Sequence, residues 1–258
     1  MAEQYYTTQL STGLALNDEM KLILNVWQPG MSNQDLIKEC LQSGVFSNIT
    51  ATRLRNMLSG CFTPRFLHYE KAAENAKYVI DKLPINDVCL ILYIYTLRAN
   101  FILRQFLIQV YWQRYSSGYN FILVEEAKSF INQGLQEGMM KKPWSETTIK
   151  RNASYLIGCL VDYGFLEVVN RTERKLTPPS LSNNVIVYLA YELHFSGLGD
   201  NAIINHPDWQ LFGLEPSDVR EELKALSVNR HWIFQAAGSV VQISWAYNNM
   251  EEVIDVIS

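Results

Sequence analysis

Closely spaced cysteines are missing from this 258-residue sequence. No Cys-x-x-Cys or Cys-x-x-His spacing occurs, and the four cysteines lie far apart, at Cys40, Cys61, Cys89 and Cys159. Zinc fingers and iron–sulfur sites need thiolates a few residues apart, so both classes of site are disfavoured. We expect all four thiols to be reduced and to pack in the apolar core, where free cysteine is usually found.

Catalytic motifs are missing as well. The sequence contains no Walker A run, no G-x-S-x-G elbow and no H-E-x-x-H pair. Its four histidines are scattered, at His68, His194, His206 and His231. Gly197, Gly199 and Ala202 match G-x-G-x-x-A, but a dinucleotide site needs a strand before it, and helix precedes here. The sequence therefore predicts a non-enzymatic protein without cofactor, metal site or small-molecule substrate, and leaves open only a site assembled in three dimensions.

Long hydrophobic runs are also lacking. The longest covers residues 88–97, whereas a membrane helix needs about 20 apolar residues. Residues 1–10 show neither the basic region nor the apolar region of a signal peptide. These absences predict a soluble, cytoplasmic protein with no membrane partner. We expect the apolar run to belong to one long helix over residues 86–115, nearly all of it in the core.

An overall excess of positive charge is absent too, since the formal net charge is −4. The charges are unevenly spread: residues 1–65 are neutral, residues 66–180 have a net charge of +3, and residues 181–258 have a net charge of −7. A protein that is basic throughout is therefore excluded, but a local basic face is not. The middle third is a possible partner for phosphates, and the last third is a poor one.

What is present is enough apolar material for real cores, with 48% hydrophobic and 19% charged residues. The spacing of the apolar residues predicts a mainly α-helical helix-turn-helix protein with winged-helix-like units and two small β-hairpins. We expect three parts. Residues 1–84 form a helical domain with a helix-turn-helix, residues 85–180 a long core helix with a winged helix-turn-helix, and residues 181–258 an acidic winged-helix-like unit.

A pair of short helices lies in the first part. The first helix follows Ser32, the second ends at Pro64, and a third helix is predicted over residues 66–83. Two short helices joined by a tight turn are typical of a helix-turn-helix. The exposed side of the second helix includes Arg53 and Arg55. DNA contact and a plain helical hairpin are equally consistent with these two arginines.

The middle part has the element order of a winged helix-turn-helix: helix, short strand, helix, turn, helix and hairpin. Residues 121–124 predict the strand, and residues 125–135 predict the helix after it. Ser145 caps a longer helix that extends to Tyr163. A hairpin over residues 165–177 completes the predicted unit.

The helix after Ser145 is amphipathic, with apolar residues at helical spacing from Ile149 to Val161. The opposite face presents hydroxyl groups and cations that can donate to phosphates and base edges in a major groove; they are Thr147, Lys150, Arg151 and Ser154. More cations precede the helix or lie in the hairpin, at Lys141, Lys142, Arg171, Arg174 and Lys175. Because these cations fall where a winged helix meets DNA, we favour DNA contact over an ordinary solvated face.

The last third repeats this plan with the opposite charge. Its presumed recognition helix contains Glu215, Asp218, Glu221 and Glu222. Carboxylates at these positions would repel phosphate. We expect this unit to contact proteins or to support the structure.

Several segments together resemble one protein family. They include YYTTQLSTG at residues 5–13, WQPGM at residues 27–31, FTPRFL at residues 62–67 and the closing residues 232–253. With the helix pair between them, these segments resemble the BrxA family of bacteriophage exclusion (BREX) defence systems. The resemblance covers most of the chain, and it implies a small non-enzymatic, helical DNA-binding component of a multi-protein phage-defence system. It also implies other BREX proteins as partners.

The sequence thus predicts a protein that binds double-stranded DNA, mainly through phosphates and with little sequence specificity. One alternative is an assembly adaptor that binds only other defence proteins through the acidic last third. A second alternative is a transcriptional regulator that binds one operator.

Overall fold

Helices make up most of the structure, a computed structural model that describes residues 5–238 and 240–258. The α-helices are α1 Asn17–Val26, α2 Asn33–Gln42, α3 Ala51–Met57, α4 Ala72–Lys82, α5 Ile85–Ala99, α6 Phe101–Phe106, α7 Gln113–Ser116, α8 Val124–Gln136, α9 Glu146–Asp162, α10 Asn183–Phe195, α11 Asp200–Ile204, α12 Pro216–Leu226 and α13 Met250–Ile257. The strands are β1 Phe121–Leu123, β2 Leu166–Val168, β3 Glu173–Leu176, β4 Trp232–Ala237 and β5 Val240–Trp245. The predicted fold class, mainly α with small antiparallel sheets, is confirmed.

The chain packs as two compact units. Unit 1 consists of the chain up to Lys77 together with Leu92–Pro179, and unit 2 consists of Tyr78–Ile91 together with Ser180–Ser258. Helix α5 therefore contributes its first half to unit 2 and its second half to unit 1. The division into three parts at residues 84 and 180 stays a prediction.

Unit 1 contains a three-stranded antiparallel sheet in the order β1–β3–β2. Phe121 of β1 pairs with Lys175 of β3, and Leu166 of β2 pairs with Leu176 of β3. The predicted hairpin is thus confirmed, and it gains a third strand from the residues just before α8. Between β1 and β2 the chain forms α8 and α9, which is the predicted order of strand, two helices and hairpin.

Helix α9 begins and ends at the predicted residues. The hydroxyl of Ser145 accepts a hydrogen bond from the Thr148 backbone N–H at 3.2 Å, as an N-cap does. Its apolar face is buried from Ile149 to Leu160. After the helix, Gly164 adopts a φ of +78°, a left-handed conformation that favours glycine.

The prediction of one long helix over residues 86–115 is wrong, because the chain bends by 109° at Asn100. The buried Asn100 side chain donates from Nδ2 to the Thr96 carbonyl at 3.0 Å. The last carbonyls of a helix have no backbone hydrogen-bond partner, and the Asn100 side chain satisfies one of them. Among the described residues, no single helix is both long and apolar enough to cross a membrane, and the two arms of this bend meet those criteria only when taken together.

The prediction that Pro64 ends the second helix is also wrong. The helix continues from α3 as a π-helical segment, Leu58–Leu67, which includes Pro64 as a buried residue. Proline clashes with the carbonyl four residues before it in an α-helix, and the wider π-helical winding displaces that carbonyl. The next helix, α4, accordingly begins at Ala72 rather than at residue 66.

Unit 2 is built around α10, whose residues are buried on nearly all sides. Two buried tryptophans donate from their indole N–H to backbone carbonyls, Trp209 to Ile203 and Trp232 to Leu223, both at 2.7 Å. Strands β4 and β5 form the second predicted hairpin. Its loop residue Ser239 lies outside the described residues.

Candidate nucleic-acid interface

The outer face of α9 presents the predicted polar residues to solvent. Thr147, Lys150, Arg151 and Ser154 are all exposed, at a spacing of three or four residues that places them on one side of the helix. Within the described part of the chain, neither Lys150 nor Arg151 forms an ion pair. Both cations are therefore free to meet an external anion.

Two more exposed lysines precede α9. Lys141 places its ammonium over the ring of Tyr5, 5.3 Å from the ring centroid, at a distance typical of a cation–π contact. Lys142 is exposed, and it forms no ion pair with a carboxylate of the described residues. With Lys150 and Arg151, these lysines form what we call the α9 basic face.

The tip of the β2–β3 hairpin is held by hydrogen bonds. The Asn170 side-chain oxygen accepts from the backbone N–H groups of Thr172 and Glu173, both at 2.9 Å. Arg174 donates from Nη1 to the carbonyls of Asn170 and Glu173, at 2.7 and 3.0 Å. Arg171 is exposed at this ordered tip. The tip thus offers Arg171 to an external ligand, while Arg174 stabilises the turn.

The three cations of the hairpin do not share one face. Side chains alternate along a strand, so Arg174 and Lys175 point to opposite faces of the sheet. Lys175 lies 3.9 Å from Glu167 across the strands. Of the predicted cluster, Arg171 and Arg174 thus lie on the side of the hairpin that faces Ser154 of α9, and Lys175 belongs to the outer face of the sheet.

The arginines of the first helix pair have different roles. Arg53 is exposed but donates to the carbonyl of Thr12, and Arg55 is exposed without a side-chain partner among the described residues. Arg65 is only 1% exposed and donates to the carbonyls of Leu14 and Ala15. Residues 43–50 join α2 and α3, a longer connection than the three- or four-residue turn of a DNA-binding helix-turn-helix.

The N-terminal segment packs against part of the later half of α9 at Gly158 and Asp162, which sequence reasoning missed. A side chain at Gly158 would meet Leu14 at 3.0 Å, and the Asp162 carboxylate accepts a backbone hydrogen bond from Ala15. Gln9 ties the segment to the Gly60 carbonyl at 2.8 Å. The N-terminal half of the outer face, up to Ser154, is therefore the part that this segment leaves uncovered.

The helix of unit 2 that the sequence compares with α9 is acidic. Helix α12 of unit 2 presents exposed carboxylates at Glu215, Asp218, Glu221 and Glu222. In the described part of the chain, no group of three or more histidine, cysteine, aspartate or glutamate side chains could hold a metal ion.

None of the four cysteines forms a disulfide; three are buried and Cys89 is half-buried. Burial raises the pKa of Cys40 to about 11 and that of Cys159 to about 12, and it raises the pKa of Cys61 as well. These three thiols are therefore protonated at neutral pH and poor nucleophiles. The prediction that the cysteines pack in the core is confirmed for these three, whereas Cys89 is only half-buried.

A family model described as BrxA matches residues 4–192 of the chain. Comparisons with curated proteins and with solved structures gave no match. The matched region includes the α9 basic face and ends within α10.

Proposed function

Because the chain belongs to the BrxA family of bacteriophage exclusion (BREX) defence systems, we propose that it serves there as a non-enzymatic component that binds double-stranded DNA. The observation that supports this most directly is the α9 basic face. Its cations Lys142, Lys150 and Arg151 have no ion-pair partner among the described residues. Exposed cations of this kind are the groups that neutralise DNA phosphates.

The arrangement of elements supports the same proposal. We propose that the strand, two helices and hairpin, in the sheet order β1–β3–β2, act as a winged helix with α9 as recognition helix and β2–β3 as wing. In that reading, the N-terminal turns of α9 enter the major groove and Arg171 reaches a neighbouring phosphate. Thr147 and Ser154 would then approach base edges, but a hydroxyl can both donate and accept, so it discriminates weakly between bases. We therefore infer binding mainly through phosphates.

A second candidate function is that of an assembly adaptor, with other BREX proteins as partners. It is favoured by unit 2, where the outward face of the β4–β5 hairpin exposes Ile233 by 63% and Val240 by 62%. Exposed apolar side chains beside a carboxylate-rich helix are suited to a protein partner rather than to DNA.

Gel shifts with several unrelated duplexes of equal length test the proposed function. We expect all duplexes to shift at similar protein concentrations in low salt, because phosphate contacts do not depend on sequence. Absence of any shift would favour the adaptor. A shift of one duplex at a concentration about 1,000-fold below the others would favour an operator-specific regulator instead, since that ratio is typical of specific binding.

We also propose that the protein has no catalytic activity of its own. Purified protein should hydrolyse no ATP and leave supercoiled plasmid intact in the presence of magnesium or manganese. Nicking that persists through purification and disappears in a point variant would contradict this expectation.

A further inference from the structure

A cleft of about 260 Å³ opens between the later turns of α9, from Ser154 to Asp162, and the inner face of the three-stranded sheet. Its walls are largely aliphatic, formed by Val124, Ile157, Val161 and Val168. A few polar side chains complete it, Ser154 and Asp162 from α9, and Arg171 and Arg174 from the hairpin. Apolar walls with a few polar groups are the usual composition of a small-molecule site.

The two arginines leave donors available on the hairpin side. Although Nη1 of Arg174 is engaged by the turn, its Nε is buried and has no hydrogen-bond partner within the described chain. Buried donors are nearly always paired in folded proteins. No carboxylate of the described residues forms an ion pair with Arg171. Two guanidinium groups at one end of a cleft suit a phosphate group, which arginine binds through several oxygens.

The helix side of the cleft offers acceptors instead. The Ser154 hydroxyl donates to the Lys150 carbonyl at 3.1 Å, so its oxygen is left to accept. The Asp162 carboxylate accepts from the Ala15 backbone and has further acceptor positions. A ligand that fits both sides has an anionic group at one end, hydrogen-bond donors at the other, and a body that packs against aliphatic side chains.

We propose that this cleft binds a nucleoside monophosphate unit, with the phosphate at Arg171 and Arg174 and the donors of the nucleoside at Ser154 and Asp162. The unit has two possible sources with the same chemistry, a free nucleotide and the 5′-phosphorylated end of a DNA strand. The site shares Ser154, Arg171 and Arg174 with the residues considered for DNA contact, but nucleotide binding does not depend on contact with the body of a duplex.

Calorimetric titration with adenosine 5′-monophosphate and with inorganic phosphate tests the site. We expect the nucleotide to bind at least about tenfold more tightly than phosphate, because only the nucleotide buries apolar surface in the cleft. Val168→Trp should fill the cleft and weaken nucleotide binding by about tenfold or more, since the ligand would have to displace the indole ring. Equal binding of phosphate and nucleotide, or no binding of the nucleotide at millimolar concentration, would overturn the proposal.

Val169→Trp is the matched control for Val168→Trp. Val168 and Val169 are 58% and 51% exposed, but only Val168 lines the cleft. We expect Val169→Trp to bind the nucleotide within about twofold of the original protein, and circular dichroism to show both variants folded. Equal losses in the two variants, or unchanged binding by folded Val168→Trp, would contradict a site in this cleft.

Displacement of a fluorescent adenosine monophosphate by hairpin duplexes distinguishes the two sources. Displacement by a 5′-phosphorylated end, and much less by a 5′-hydroxyl end, identifies a DNA terminus as the ligand. Nucleotide binding that neither end displaces identifies a free nucleotide. Because Val168→Trp removes no cation, its affinity for the body of a duplex should stay within about twofold. If the original protein binds the nucleotide but no duplex, the proposed DNA function fails and the cleft proposal stands.

Discussion

Replacing Lys150 and Arg151 together with alanine should weaken the binding of every duplex by roughly 30-fold at physiological salt. Each cation that neutralises a phosphate releases condensed counterion and contributes about −0.9 to the slope of log K against log salt. With Lys141, Lys142, Lys150, Arg151 and Arg171 as contacts, the slope should be about −4 to −5, and the double variant should flatten it by about two. Fluorescence anisotropy at several salt concentrations measures both quantities.

The control for this experiment is the double substitution Arg220→Ala and Lys224→Ala on α12. It removes the same charge from unit 2, where Lys224 lies 3.7 Å from Glu221 and Arg220 donates to the Gly238 carbonyl. We expect its affinity for DNA to change by less than about twofold, because these cations already face carboxylates or the backbone. If the control substitution weakened DNA binding more than the Lys150 and Arg151 substitution, the DNA would bind unit 2 rather than α9. If neither pair mattered, Arg55 would be the next residue to test.

Local sequence signals predicted the parts of the fold that depend on neighbouring residues. Ser145 and Gly164 mark the two ends of α9. These signals act over one turn of the chain, where capping and backbone strain decide the conformation. The same locality explains the error at Asn100. Apolar spacing continues through this residue, and the periodicity therefore gives no sign of the bend that the structure has there.

The candidate site was predicted in part for a similar reason. Helical periodicity is sufficient to place Lys150 and Arg151 on the outer face of α9, and both are exposed. It cannot show that residues 9–16 cross the same helix, because that contact joins distant parts of the chain. Side chains alternate along a strand, so the neighbouring residues Arg174 and Lys175 point to opposite faces of the sheet. This separation follows from their positions in one predicted strand. The burial of Arg65 could also have been predicted from the sequence. Arg65 lies four residues after Cys61 and therefore on the same apolar stripe, which faces the core.

Arg65→Ala should be the most destabilising single change among the arginines, lowering the free energy of unfolding by about 3 kcal/mol. The buried guanidinium donates from Nη1 to the Ala15 carbonyl at 2.6 Å and from Nη2 to the Leu14 carbonyl at 2.5 Å. Hydrogen bonds from a charged donor contribute about 1.5–3 kcal/mol each. Part of that gain is offset because alanine no longer has to bury a charge, but two carbonyls lose their partner and a cavity remains.

Thermal and urea unfolding measure this loss, and Arg55→Ala is the matched control. Arg55 lies on α3 as an exposed residue, so its replacement should change stability by less than about 0.5 kcal/mol. Arg65→Met keeps most of the apolar volume but removes the donors, and it should therefore separate the hydrogen bonds from the packing. In Arg65→Ala, hydrogen exchange should increase first at residues 9–16, because this segment loses the two hydrogen bonds that Arg65 donates to it. Stability equal to that of Arg55→Ala, with unchanged exchange in this segment, would show that the contacts of Arg65 do not hold the segment in place.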